Sequence, residues 1–188
     1  ICTDLATALE AQGHKVKIAY GREEVPEQFQ KYAVRIGNDL DVKLHGMKSR
    51  LFDASGFGSK KVTERFIDWV KRYDPDVIHL HNIHGYYINV EVLFKYLKTC
   101  GKKIIWTLHD CWAFTGHCSY FDYVGCDKWK KECHNCAQKK EYPSCIGLDH
   151  SKQNYRLKRT LFTGIKNMTL VTPSQWICDL LKESYLKK

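Results

Sequence analysis

No stretch of eighteen apolar residues occurs in the chain, so the sequence holds no segment that could cross a bilayer as a helix. The first residues lack a methionine and lack the basic, apolar and small-residue succession of a secretory signal, which leads us to expect a cytoplasmic protein whose true beginning lies upstream. A complete GxGxxG after a strand is also missing, and this argues against a nucleotide-dependent dehydrogenase or epimerase. The formal charge is +9, yet the lysines are not gathered into one tract. Charge therefore suggests an anionic partner without choosing among phosphate, nucleic acid and lipid headgroups. The turn-rich composition of a disulfide-stapled mini-protein is absent, so the nine cysteines, concentrated in one segment, suggest a local metal site or reduced thiols.

What is present is enough for one good core: 188 residues with 44% hydrophobic content. Residues 4–12 have helical spacing and stop at Gly13, and residues 14–20 alternate like a strand that ends at Gly21. A weaker strand follows at 32–36. Residues 37–59 show no clean period and are expected to form a loop with at most one short helix. Ser59 is expected to cap a helix running to Tyr73, which Asp74-Pro75 ends. The spacing then predicts a strand at 76–81, a helix at 89–100, a strand at 104–108, a basic helix at 151–162, a strand at 168–171 and a final helix at 175–184. This alternation implies an α/β fold with a doubly wound parallel sheet.

The chain is organised around Ile104-Ile105-Trp106-Thr107-Leu108-His109-Asp110-Cys111-Trp112. A short apolar run without helical periodicity is what a parallel strand covered on both faces looks like, and ligands of such sheets bind beyond the carboxyl ends of the strands. His109 and Asp110 stand at that end, and His81, Asn82, His84 and Tyr86 follow the neighbouring strand. Such groups suit a site that holds hydroxyls and a leaving phosphate, although each also fits a satisfied loop residue at a sheet edge.

Two further features carry weaker signals. Gly58 and Ser59 open a helix and could receive a phosphate on free amides, or could be a plain capped helix start. Cys118, Cys126, Cys133 and Cys136 lie within one long excursion, and Cys133-His134-Asn135-Cys136 has the two-residue gap that lets two sulfurs reach one Zn²⁺. Only one such pair is present, so zinc, disulfides and reduced thiols all stay open. With Lys128, Lys130, Lys131, Lys139 and Lys140 nearby, a zinc-containing basic nucleic-acid-binding module is the rival reading.

Several of these stretches carry a resemblance. Gly13-His14, Gly56 to Lys60, Val77-Ile78-His79-Leu80-His81-Asn82-Ile83-His84-Gly85, Trp106 through Cys118, and Thr172-Pro173-Ser174-Gln175-Trp176 together look like the N-terminal half of a bacterial family 4 glycosyltransferase of the branch that builds capsular polysaccharides and exopolysaccharides. The resemblance implies a GT-B architecture of two Rossmann-like domains facing across a cleft. Residues 1–188 would be an incomplete N-terminal, acceptor-side domain without its first strand, and the C-terminal donor-binding domain would be absent. It also implies transfer of a hexosyl group from a nucleotide-sugar to a glycan or lipid-linked acceptor, with retention, in surface polysaccharide synthesis. In that reading His109 and Asp110 are catalytic, and His81, Asn82, His84 and Tyr86 line the acceptor side. The piece alone would be inactive. A peripheral contact with the inner face of the membrane is compatible with such a role.

Overall fold

A computed structural model of the chain describes residues 1–187. Chain order is α1 (Cys2–Ala11), β1 (Ile18–Tyr20), β2 (Ala33–Arg35), α2 (Asp39–Phe52), α3 (Lys60–Tyr73), β3 (Val77–Leu80), α4 (Val90–Leu97), β4 (Lys103–Thr107), α5 (Ser151–Phe162), β5 (Met168–Val171) and α6 (Gln175–Glu183). All strand pairings are parallel. They form two pieces, β1-β2 and β3-β4-β5, and among the described residues no ladder joins one piece to the other. The Rossmann-like alternation expected from the sequence is thus present, in a sheet split between its second and third strands.

Register decides what each face of the larger piece carries. Ile78 pairs with Ile104 and Leu80 with Trp106, while Trp106 pairs with Leu170. Side chains alternate along a strand, so these residues share one face. It packs against the helices: Phe94 of α4 lies 5.2 Å from the Trp106 ring and 4.3 Å from Phe162 of α5, and Trp106 meets Phe162 edge-on at 5.0 Å. The other face carries Val77, His79, Thr169 and Val171, all exposed, with half-buried Ile105 and buried Thr107 of β4 between them. Coverage on both faces, expected for the strand at 104–108, thus holds at Thr107 and in part at Ile105, while the flanking strands are open on that side.

The largest departure from the sequence expectation lies between residues 37 and 59, where a fourteen-residue helix, α2, replaces the expected loop. Its start is chemically explicit: the Asn38 side chain accepts from the Asp41 amide at 3.0 Å, and Asp41 accepts from the Asn38 amide at 3.0 Å. This reciprocal capping satisfies two amides that a helix start would otherwise leave unpaired. Its inward residues are His45 and Ser49, whereas an apolar stripe normally marks the buried face.

Candidate active site

The site grows from the register of β3 and β4. His79 stands opposite Ile105, so alternation brings His79, His81, Thr107 and His109 to one face of two adjacent strands and their carboxyl ends. Their side chains form a connected row. His79 Nε2 lies 2.8 Å from Thr107 Oγ1, the His79 and His81 rings are 4.3 Å apart, and His81 Nδ1 lies 3.0 Å from His109 Nε2. In the His81–His109 contact one nitrogen donates and the other accepts, so a single shared proton suffices. Burial, with the neighbouring His79 and His109, lowers the His81 pKa to about 4, which keeps its ring neutral at neutral pH. Burial and His109 also lower the pKa of His79.

A second pair crosses the same strand ends. Asp110 Oδ2 lies 3.2 Å from His84 Nε2, and its Oδ1 accepts from the Trp112 amide at 2.9 Å. Burial pushes the Asp110 carboxyl up, but the His84 contact, the Trp112 amide and the nearby Lys158 outweigh it and leave the pKa below the usual carboxylate range. Asp110 thus ties the loop after β3 to its own, and the His84 ring stacks on Trp112 at 5.0 Å.

These residues line one shallow, partly open cavity, with His81, Asn82, His84, His109 and Asp110 on its walls. Tyr86 stands further out: its ring meets His45 edge-on at 5.8 Å and Tyr142 at 6.4 Å, with the Arg22 guanidinium 5.8 Å above it. Tyr142 in turn lies 6.0 Å from His84, so it links Tyr86 to the cavity. Tyr86 has φ of 66°, the left-handed region that side chains with a Cβ rarely adopt. Arg22 and Tyr142 were not foreseen, because nothing in their local sequence marks them.

Gly58 and Ser59 both contact His45 of α2. The Gly58 amide donates to His45 Nε2 at 3.0 Å and is therefore not a free donor for a phosphate, while His45 Nδ1, left with the ring proton, donates to Ser59 Oγ at 2.9 Å. A Cβ at position 58 would run into the His45 ring. Ser59 occupies the cap position of α3 without a side-chain bond to the helix. Because His45 Nε2 accepts from an amide, protonation would break that bond, and burial lowers the His45 pKa to about 4. The folded value lies below the unfolded value of 6.5, so the stabilisation is complete above pH 6.5 and is lost as pH falls toward 4. Urea midpoints should decline across that window and decline less in His45→Gln; parallel declines would remove His45 as a cause.

Lys158 of α5, the helix whose sequence is basic, is buried. Its Nζ donates to the carbonyls of Trp112 at 2.8 Å and Thr115 at 3.1 Å, and it stands 3.5 Å from the centre of the Trp112 ring. Burial lowers its pKa to about 7. This ammonium holds the loop that follows Asp110.

The cysteines require a correction. All nine are free thiols, which sets aside disulfides in this structure. Cys118, Cys126, Cys133 and Cys136 do border one small cavity, but among the described residues no group of three or more His, Cys, Asp and Glu side chains is arranged to hold a metal ion. Burial raises the Cys133 thiol to about 12, and its contact with Cys118 together with burial raises Cys136 as well, so the protonated forms are favoured. The excursion is held by packing and hydrogen bonds. Phe121 stacks on Trp129 at 4.8 Å, Phe114 lies 5.4 Å from Trp129, and Trp129 Nε1 donates to the Cys126 carbonyl at 3.0 Å. Asp149 accepts from the amides of Cys136 and Ser151. Without a metal set, the zinc-containing nucleic-acid module loses the feature that suggested it.

Comparison with known proteins points to one family. Residues 1–185 match the family model described as Glycosyltransferase Family 4. The chain is 30% identical over 143 residues to "Putative colanic acid biosynthesis glycosyl transferase WcaC" of Escherichia coli (strain K12), across 72% of this chain and 34% of that protein. It therefore spans about a third of the length of the curated relative it matches. No solved structure matches.

Proposed function

The chain belongs to glycosyltransferase family 4, and from that premise we propose that it supplies the acceptor side of an enzyme that moves a hexosyl group from a nucleotide-sugar to a glycan or lipid-linked acceptor in surface polysaccharide synthesis. The observation that carries this reading is the joining of His81, His84, His109 and Asp110 around one cavity at the carboxyl ends of β3 and β4. Open α/β sheets bind ligands there. The reaction breaks the bond between the anomeric carbon and the donor phosphate, forms one to an acceptor hydroxyl oxygen, and passes the hydroxyl proton to the departing phosphate when configuration is retained.

The protein's part in such a transfer is to position groups and to stabilise charge. His109, fixed through Nε2 by a neutral His81, has Nδ1 left to face the reacting sugar and phosphate. Asp110 holds His84 against Trp112, and His84, Asn82 and Tyr86 with Tyr142 and Arg22 make the acceptor wall. In the whole protein we assign the donor contacts to a second, C-terminal domain, and a strand between β1 and β3 would join the two ladders of the sheet. The piece by itself is then inactive, and the enzyme works at the cytoplasmic side of the membrane. No described helix is long and apolar enough to cross a membrane.

The test is transfer by the whole protein from a panel of nucleotide-sugars to a lipid-linked glycan, read by mass. Tyr86→Ala should raise the acceptor KM by roughly tenfold and leave the donor KM alone, as loss of a binding contact does. A change confined to the donor KM would reverse the assignment of the two sides. Transfer by residues 1–188 alone would refute the division of labour.

A further inference from the structure

Two large aromatic rings stand in solvent beside the cavity. Tyr120 and Trp176 are 49% and 42% exposed, their ring centres lie 6.4 Å apart, and their planes are 22° from parallel. Trp106, Trp112 and Trp129 are buried and Trp69 is half-buried, so Trp176 is the tryptophan that offers its ring to a ligand. The chain reaches this spot from two strand ends. The Cys111 amide donates to the carbonyl of Ser119 at 2.9 Å, which holds neighbouring Tyr120 against the turn that follows Asp110. Trp176 belongs to the first turn of α6, whose Ser174 cap follows closely on Val171, the last residue of β5. The Leu108 amide donates to the Val171 carbonyl at 2.9 Å, so β4 and β5 end side by side.

The local charge narrows the choice of ligand. The chain as a whole carries +9, yet burial raises the Tyr120 pKa and the neighbouring Asp110, Cys111 and Asp122 raise it further, so the phenol stands among acids. On α6 both Gln175 and Lys182 are bonded to Asp179. A phosphate or a nucleotide would meet repulsion here. A pyranose is uncharged, and the C–H face of its ring suits the electron-rich face of an aromatic side chain while its hydroxyls stay in water. We propose that Tyr120 and Trp176 form a stacking platform for a hexopyranose of the acceptor glycan other than the one that receives the transferred unit. The acceptor is then an oligosaccharide lying across the carboxyl ends of the strands, from Tyr86 and Tyr142 past Asp110 to this pair. Burial raises the pKa of Tyr142 as well and the Asp110 charge adds to it, so both phenols stand near that carboxylate. From β3 to β5 is two strand spacings, about 10 Å, which a short oligosaccharide spans and a single hexose does not. The identity of the ligand rests on the acceptor-side function proposed above.

The test compares acceptors of two lengths with the whole protein. Given methyl glycosides of single hexoses and of trisaccharides built from the same hexoses, the parent should favour the trisaccharides by about fivefold or more in kcat/KM, through KM. Trp176→Ala should bring that ratio to within about twofold of unity with an unchanged circular dichroism spectrum, whereas Trp176→Phe and Tyr120→Phe, which keep a ring, should preserve most of it. A parent indifferent to acceptor length, a ratio that Trp176→Ala leaves intact, or an effect of Trp176→Ala confined to the donor KM would each overturn the proposal. Saturation-transfer NMR with the same trisaccharides needs no turnover, and the signal of one hexose ring should weaken in Trp176→Ala. Trisaccharide binding that depends on Trp176, without sugar transfer to any acceptor, would sink the functional reading and leave the platform standing. Sugar transfer without a preference for length would do the reverse.

Discussion

Replacing His109 with alanine in the whole protein is expected to lower the turnover of sugar transfer by about 10²-fold or more, the usual scale for removing a positioned polar group from a transition state. The argument is geometric. His109 shares one proton with a neutral His81, which fixes the ring at the wall of the cavity and leaves its other nitrogen outside that bond. His109 is only half-buried and lies beyond the end of β4, so its loss should leave the fold intact. His81→Ala should act through His109 and cost less, and its effect should nearly vanish in a His109→Ala background, since residues that act as a unit are not additive. Turnover within twofold of the parent for His109→Ala, with unchanged circular dichroism, would remove it from the reaction.

Replacing Asp53 with alanine is expected to cost about 3–5 kcal/mol of stability, the scale for stripping one partner from a buried ion pair. Asp53 Oδ1 lies 2.5 Å from His117 Nδ1, and each residue is 2% exposed. Asp53 Oδ2 also accepts from the His150 amide, and its carbonyl accepts from Asn154 Nδ2. One residue at the end of α2 therefore ties together the start of the cysteine excursion, its end, and α5. Burial pulls the His117 pKa down, but the hydrogen bond and charge of Asp53 outweigh it and the value ends above 6.5. The folded value exceeds the unfolded one, so this pair's stabilisation is complete below pH 6.5 and is lost as pH rises through the raised value. The deficit of Asp53→Ala should accordingly shrink in alkaline buffer. A deficit that is small, or that grows with pH, would count against the pair.

How much of this could be read from the residues depends on which kind of signal carried it. The strands at 76–81 and 104–108 announced themselves by apolar runs, and once they are parallel neighbours, His81 and His109 must meet. That Asp110 bonds His84 was not legible, because which residue a carboxylate bonds is decided by loop geometry. Helix α2 was legible and missed: Leu40, Leu44, Met47 and Leu51 recur at helical spacing whichever way that face points, but the glycines at 46, 56 and 58 drew the reading toward a loop. Its Asn38 and Asp41 caps were a second legible signal. Lys158 and the Asp53–His117 pair left no trace: backbone carbonyls have no sequence, and the pair spans 64 positions.

The burial of Lys158 also makes it an internal clock for the loop it clamps. With a pKa lowered to about 7 by burial, this amine gives up its proton more readily than an ordinary lysine and would acylate readily if reagent could reach it. At 1% exposure reagent does not. Acylation of Lys158 can proceed only in the moments when residues 112–115 lift away from α5, so its labelling rate, set against that of an exposed lysine such as Lys103, counts how often the floor beside Asp110 comes apart.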